Sequence, residues 1–143
     1  MNDKYFVDTN ILIYSFDRAN PSKRKIALDL ISQALEKGTG VISYQVIQEF
    51  LNVATRKFAV PLSFKDAQRY LNVVLEPICE VFSSPELFHQ ALEISDQWRF
   101  AFYDALIVAA ALQAECRVLY SEDMQDSQTI KGLTIRNPFQ TRD

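Results

Sequence analysis

The sequence predicts an α/β fold in which helices cover both faces of a central, mostly parallel sheet, giving three layers in the order α/β/α. Short β-branched or aromatic segments alternate with longer segments of helical apolar spacing along the 143 residues. This alternation is typical of parallel sheets, because each parallel strand needs a crossover, usually a helix, to reach the next. Two of the short segments end in acidic residues, at the sheet edge where ligands bind in such folds.

The first half of the chain is expected to contain two strands and four helical segments. The first strand contains Tyr5, Phe6 and Val7 and stops at Asp8. Ser22 and Ser63 are suitable helix N-caps, and Gly38 suits a left-handed C-cap. The elements predicted after the first strand are a short helix or turn at 11–16, a helix at 22–37, a strand at 40–43, a helix at 44–54 and a helix at 64–75.

The second half repeats the alternation. Ser84 followed by Pro85 is typical of a helix start, and the segment after Asp104 is apolar on nearly all sides, which predicts a buried helix. The predicted elements are a strand at 77–82 near an edge, a helix from 85 to about 98, a helix at 105–112, and strands at 117–121 and 133–136.

Composition indicates a single globular domain over residues 1–143. Apolar residues make up 48% of the chain and charged residues 23%, with three glycines, five prolines and a net charge of −3. These values argue against linkers and give no sign of a strongly basic nucleic-acid-binding protein. Cys79 and Cys116 lie far apart, which favours free thiols in a reducing compartment. With no leader-like or bilayer-length apolar segment, a cytoplasmic protein without membrane contact is expected.

Four acidic side chains are predicted to meet at one rim of the sheet. Asp8 and Asp123 end strands, Asp104 opens a helix, and Glu49 lies within the first two turns of another. Helix capping alone explains any single aspartate, Asp8 included. Four gathered carboxylates, however, repel one another unless a cation neutralises them or some remain protonated.

A hard divalent cation with oxygen ligands is the natural occupant of such a site. Mg²⁺ commonly uses one or two carboxylates together with waters and phosphate oxygens, and no cluster of histidine and cysteine favours zinc. This chemistry suits hydrolysis of a phosphodiester. The sequence also lacks a glycine-rich phosphate loop and a Ser-His-Asp set, which disfavours nucleoside triphosphate hydrolysis and acyl transfer.

The order of these short motifs resembles that of PIN-domain nucleases, and the compact length is similar to the VapC-type toxins of bacterial toxin–antitoxin pairs. No single motif is specific, but four in order cover almost the whole chain. The four motifs are Asp8-Thr9-Asn10, the segment 43–49, the segment 103–107 and Ser121-Glu122-Asp123, and the tail from Ile130 through Phe139 is also similar to that group.

This resemblance implies an endoribonuclease that depends on Mg²⁺ or Mn²⁺, is inhibited by a small antitoxin protein and is usually a homodimer. Carried onto this chain, it makes Asp8 and Asp104 the principal metal ligands. Glu49 becomes a further ligand or a water-positioning group, and Asp123 the fourth acid.

The same resemblance assigns supporting roles to two polar residues. Asn10 is expected to hydrogen-bond the first carboxylate and Ser121 the fourth. Glu122 and Asp126 neighbour the fourth position, so either could replace or assist Asp123. The number of metal ions, one or two, also stays open at this level.

Two other classes of function remain as alternatives. A non-catalytic RNA- or protein-binding module would be favoured by a missing acid, and none is missing. A phosphatase or phosphotransfer domain with Asp8 as nucleophile would call for a second aspartate two residues later, where Asn10 stands.

Basic and apolar residues near the rim offer further contacts, although a solvated face and an ordinary core explain them equally well. The basic candidates for holding the RNA backbone are Arg18, Lys23, Arg24, Lys25, Arg56, Lys57 and Arg99. The apolar candidates for an antitoxin groove or dimer face are Ile13, Tyr14, Phe16, Phe50 and Phe58.

Overall fold

A computed structural model describes residues 2–140 and contains a six-stranded sheet at its centre. The strand order is β3-β2-β1-β4-β6-β5, and every neighbouring pair is parallel except β5 with β6. The strands are β1 (Tyr5–Val7), β2 (Gly40–Ser43), β3 (Cys79–Val81), β4 (Val118–Tyr120), β5 (Thr129–Ile130) and β6 (Leu133–Arg136).

Helices cover both faces of this sheet, which confirms the predicted three-layer α/β/α fold. They are α1 (Thr9–Tyr14), α2 (Pro21–Lys37), α3 (Tyr44–Arg56), α4 (Phe64–Tyr70), α5 (Glu76–Ile78), α6 (Pro85–Trp98) and α7 (Phe102–Gln113), with a π-helical turn at Leu71–Leu75 between α4 and α5. Helix α1 packs against α2 and α3, and α6 packs along α7.

The core is built from the central strands and from α7. All three residues of β1 are buried, and α7 is buried from Ala105 through Ala111. Such all-round burial follows from a helix whose residues are apolar on nearly every side. Both elements therefore give their ends, at Asp8 and Asp104, a rigid support.

Helix ends follow the predicted capping chemistry in three places. The hydroxyl of Ser63 accepts a hydrogen bond from the Asp66 amide, and that of Ser84 accepts one from the Leu87 amide. Gly38 ends α2 in the left-handed region with φ of 68°. Helix α2 itself begins one residue before the predicted cap Ser22, because Pro21 occupies its first position and Asn20 stands at the N-cap.

The second half of the sheet has the predicted strand near an edge, but it differs from the prediction in two details. The segment 77–82 is a strand only over Cys79–Val81, because Pro77 lies in the first turn of α5, where its fixed φ and missing N–H are tolerated. The two-residue strand β5 was not expected. It pairs with β6 through a turn in which Lys131 and Gly132 have positive φ.

The apolar residues of the first helices belong mainly to the core. Phe50 is fully buried, and Phe16, Phe58 and Tyr70 pack around it with ring centroids 5.0–6.2 Å apart. The ordinary-core explanation therefore accounts for Phe50. No helix within residues 2–140 is long and apolar enough to cross a membrane.

Candidate active site

Asp8 lies at the carboxyl end of β1, beside the end of β4. The two strands are parallel, with Val7 opposite Tyr120, and the Asp8 amide donates to the Tyr120 carbonyl at 3.0 Å. The buried carboxylate accepts from the Thr9 amide at one oxygen and from the Ser121 hydroxyl at the other, both at 2.7 Å. Asp8 is therefore the N-cap of α1 and also an acid fixed at the sheet edge.

Glu49 reaches the same edge from α3 and is held at both oxygens. The hydroxyl of Thr9 donates to Oε1 at 2.6 Å, and the amide of Gln45, one turn earlier on α3, donates to Oε2 at 3.2 Å. Gln45 also donates to the carbonyl of Tyr103, at the start of α7. These contacts tie α1, α3 and α7 together around the acids.

Asp123 follows β4 and is exposed, and Asn10 holds its side chain. Nδ2 of Asn10 donates to Oδ2 of Asp123 at 2.9 Å, and Oδ1 of Asn10 accepts from the Glu122 amide at 3.4 Å. One side chain on α1 thus fixes both the backbone and the carboxylate of the segment after β4.

The supporting roles predicted for Asn10 and Ser121 are wrong in their partners. Ser121 supports Asp8, and Asn10 supports Asp123. The reason is the parallel register of β1 and β4, which sets the residue after Tyr120 directly beside the residue after Val7. Asn10, on the first turn of α1, reaches past Asp8 to the loop beyond.

The acids next to Asp123 have other partners. Glu122 accepts hydrogen bonds from the Tyr14 hydroxyl at 2.6 Å and from Nζ of Lys23 at 2.5 Å. Burial alone would raise the pKa of Glu122, but these two donors outweigh it and lower the pKa. Asp126 accepts from the Asn137 amide at 2.8 Å and so connects the loop before β5 to the residue after β6. Asp123 is the acid of this segment whose charge acts on the site.

Lys23, expected among the RNA-binding residues, is engaged in this same network. Its ammonium group lies 4.7 Å from the ring centre of Tyr14 and 5.4 Å from that of Phe139. It therefore connects α2, α1 and the segment after β6, with Glu122 as its counter-ion.

The pKa values at the rim indicate an excess of negative charge. Burial raises the pKa of Asp8 to about 6, against the lowering effect of its two hydrogen bonds, and the charges of Glu49 and Asp123 add to the rise. The pKa of Asp104 is also raised, by burial first and then by Asp123 and Glu49. The charges of Glu49 and Asp123 thus act on both Asp8 and Asp104.

The donor set fits a hard cation. Within residues 2–140, no three His, Cys, Asp or Glu side chains are close enough to hold one ion jointly. Mg²⁺ does not require this, since it is usually held through one or two carboxylates and keeps several waters. Asp8 and Asp104, whose ionised forms lack a neutralising charge, are the two carboxylates best suited to the role.

Sequence patterns did not point to Thr9 and Gln45, which orient Glu49. A signal existed for Gln45, because side chains four residues apart on a helix are neighbours. No comparable signal existed for Thr9, whose hydroxyl crosses to a residue 40 positions later.

Comparison with known families decides the classification. The model of the PIN domain matches residues 5–128, which is most of the chain and includes all four acids. The chain belongs to the PIN domain family. No curated protein matches this PIN domain significantly.

Solved structures similar to this PIN domain come from several bacteria. A toxin–antitoxin complex from Klebsiella pneumoniae aligns with a TM-score of 0.65 and 23% identity, over 94% of this chain and 98% of that one. VapBC2 from Rickettsia felis, bound to a promoter DNA fragment, gives 0.62 and 20%, over 93% and 97%. VapC20 from Mycobacterium tuberculosis, a sarcin-ricin loop cleaving toxin, gives 0.60 and 18%, over 84% and 90%. At these identities the likeness establishes the shared fold.

Proposed function

We propose that this PIN domain is an endoribonuclease toxin that depends on Mg²⁺ or Mn²⁺ and is neutralised by a cognate antitoxin. The observation that carries the proposal is the raised pKa of Asp8 and of Asp104 at the sheet edge, caused first by burial and then by the charges of Glu49 and Asp123. The sarcin-ricin loop cleavage named for VapC20 supports RNA as the substrate class.

In this proposal Asp8 and Asp104 hold the cation, with Glu49 and Asp123 as further ligands or as groups that position water. A bound Mg²⁺ supplies an activated water and stabilises charge that develops on the scissile phosphate. The chain's own contribution is orientation. The Thr9 amide and Ser121 fix Asp8, while Asn10 fixes Asp123.

The decisive experiment is cleavage of total bacterial RNA by the purified protein, with Mg²⁺ or Mn²⁺ and with EDTA. We expect discrete fragments only with metal, and a loss of at least about 100-fold in rate for Asp104→Asn, because a neutral amide replaces a ligand charge. Asp29→Asn is the matched control, because it is the same substitution at an exposed residue of α2, and it should cleave at the wild-type rate. Equal cleavage by Asp104→Asn, or cleavage in EDTA, would contradict the proposal.

The antitoxin and a homodimer are the proposed protein partners. Support comes from the similar solved structures, which include toxin–antitoxin complexes. Co-expression with the product of an adjacent small open reading frame should relieve growth inhibition and yield a co-purifying complex. Light scattering of the protein alone measures the mass of the proposed homodimer.

A further inference from the structure

A cleft opens at the carboxyl end of β2, beside the first turns of α3 and α7. Its volume is about 320 Å³, which is in the range of small-ligand sites. None of the residues that line it is charged, and its walls carry five aromatic rings. These rings belong to Tyr44, Phe82, Phe88, Phe102 and Tyr103.

The rings are exposed to an extent that ordinary packing does not explain. Tyr103 is 67% exposed, Phe82 52% and Tyr44 46%. Tyr44 and Phe82 meet edge to face with centroids 4.8 Å apart, and so do Phe102 and Tyr103 at 5.7 Å. An edge-to-face pair leaves ring faces available, and a planar group can stack on them.

One residue that lines the cleft, Ser43, carries a buried hydroxyl without a partner. Ser43 is 2% exposed, and its Oγ finds no hydrogen-bond partner within the described part of the chain. Ser43 occupies the N-cap position of α3, yet its side chain does not cap the helix. Burying a hydroxyl unpaired is costly, so a ligand atom that pairs with Oγ would gain affinity.

Gln45 connects the cleft to the acids. Its amide donates to Glu49 and to the Tyr103 carbonyl, both at 3.2 Å, and Gln45 and Tyr103 both line the cleft. Any occupant therefore lies one side chain away from the candidate metal site. The uncharged, aromatic lining favours a neutral planar group over a phosphate or an acidic peptide.

We propose that this cleft, defined by Ser43, Tyr44, Phe82 and Tyr103, binds one unstacked nucleobase of single-stranded RNA next to the phosphodiester held at the carboxylates. The inference rests on the proposed ribonuclease function and specifies how the RNA substrate is bound. Proteins that recognise single-stranded RNA stack its bases on aromatic side chains and hydrogen-bond their edges. Here the rings provide the stack, and Ser43 provides the hydrogen bond.

The test is binding of a fluorescein-labelled 12-nucleotide single-stranded RNA, measured by fluorescence anisotropy with Mg²⁺. All variants are made in an Asp104→Asn background, so that cleavage does not interfere. Tyr103→Leu and Phe82→Leu keep an apolar side chain but lose the ring, and each should weaken binding at least about five-fold. Phe64→Leu is the matched control, since Phe64 is 76% exposed on α4 and lies outside the cleft, and it should change binding less than two-fold.

The variant Ser43→Ala distinguishes a role of the hydroxyl in RNA binding from a role in the stability of the fold. Because the hydroxyl has no partner in the free protein, its removal should leave the unfolding midpoint unchanged or higher, while RNA affinity falls several-fold. A purely structural role for Ser43 would instead lower the midpoint. Abasic substitution at successive RNA positions should identify one position at which the Asp104→Asn parent and its Tyr103→Leu variant bind equally well.

Three outcomes would overturn the proposal. The first is no RNA binding by the parent protein, and the second is binding by the two ring variants that matches the Phe64→Leu control. The third is loss of binding together with a change in mass by light scattering, which would mean that the cleft is an interface between copies. The RNA cleavage assay reports separately on the nuclease, so cleavage with an unimportant cleft, or ring-dependent binding without cleavage, tells the two proposals apart.

Discussion

Asp8 ionises against both burial and the neighbouring charges of Glu49 and Asp123, so its pKa is raised from 3.8 to about 6. The folded protein therefore holds this proton more tightly than the unfolded chain does. The ionised carboxylate destabilises the fold at pH values above 6, by on the order of 3 kcal/mol, and this effect disappears as the pH falls towards 4.

We predict that Asp8→Asn is more stable than wild type at pH 7.5 without metal, by about 1–3 kcal/mol, and that the difference vanishes near pH 4. The amide oxygen of asparagine still accepts from the Thr9 amide, and the Ser121 hydroxyl can rotate to accept from its NH₂ group. Urea unfolding in EDTA across this pH range measures the difference. A difference that stays constant with pH, as expected for the control Asp29→Asn, would contradict the assignment.

Asn10 is a positioning residue, because it contacts Asp123 and the Glu122 backbone without being a charged ligand itself. Removing a side chain that orients a metal-ligating group typically lowers metal affinity or activity 10- to 100-fold. We predict a loss of about that size for Asn10→Ala in Mn²⁺ affinity by calorimetry and in RNA cleavage. Asn52→Ala, on an exposed part of α3, should leave both unchanged. Loss of cleavage with unaltered Mn²⁺ affinity would instead assign Asn10 to the substrate.

At the scale of elements, sequence predicted the strands that support the site better than the short pieces at the sheet edge. Strands such as β1 and β2 combine β-branched or aromatic residues with a polar end, and both were found where expected. β5 has only two residues and exists because β6 lies beside it, so no local pattern could indicate it. Pro77 lies in the first turn of α5, directly before β3, and its fixed φ is compatible with either element.

The contacts within the site were predictable only in part for a similar reason. That acids gather at one edge follows from strand and helix order alone. Which donor serves which acid depends on register, and the partners Asp8 and Ser121 are 113 residues apart. The sequence therefore could not show that Ser121 pairs with Asp8 and Asn10 with Asp123, because these partners are set by how β1 and β4 pair.

The close packing of α2 against β2 requires a glycine at position 40. A Cβ at this position would lie 2.5 Å from the Cβ of Ala34 and 2.7 Å from the ring of Tyr5, both part of the core. We predict that Gly40→Ala destabilises the fold by about 1–3 kcal/mol through overpacking, measured by urea unfolding. Gly38→Ala tests the alternative cause, since its Cβ would meet nothing and only its positive φ causes strain, of about 1 kcal/mol. A Gly40→Ala variant as stable as wild type would show that α2 can shift freely.

At the scale of the whole molecule, the fold holds an uncompensated cluster of acids together, and folding should therefore be coupled to a cation. A ligand that binds only the folded state stabilises it by RT ln(1 + [L]/Kd), which is about 1.4 kcal/mol at ten times the Kd. For a domain of this size that corresponds to a rise of roughly 5 °C in the unfolding midpoint.

We predict this rise for Mn²⁺ with wild-type protein at pH 7.5, measured by differential scanning calorimetry. The gain should shrink at pH 5, because Asp8, with a pKa of about 6, is then mostly protonated and a carboxylic acid is a poor ligand. Asp104→Asn should lose most of the gain, and Asp29→Asn should keep it. A cation effect of equal size in all three proteins, independent of pH, would place Mn²⁺ elsewhere on the surface. Such a result would remove the physical reason for gathering these carboxylates at the edge of the sheet.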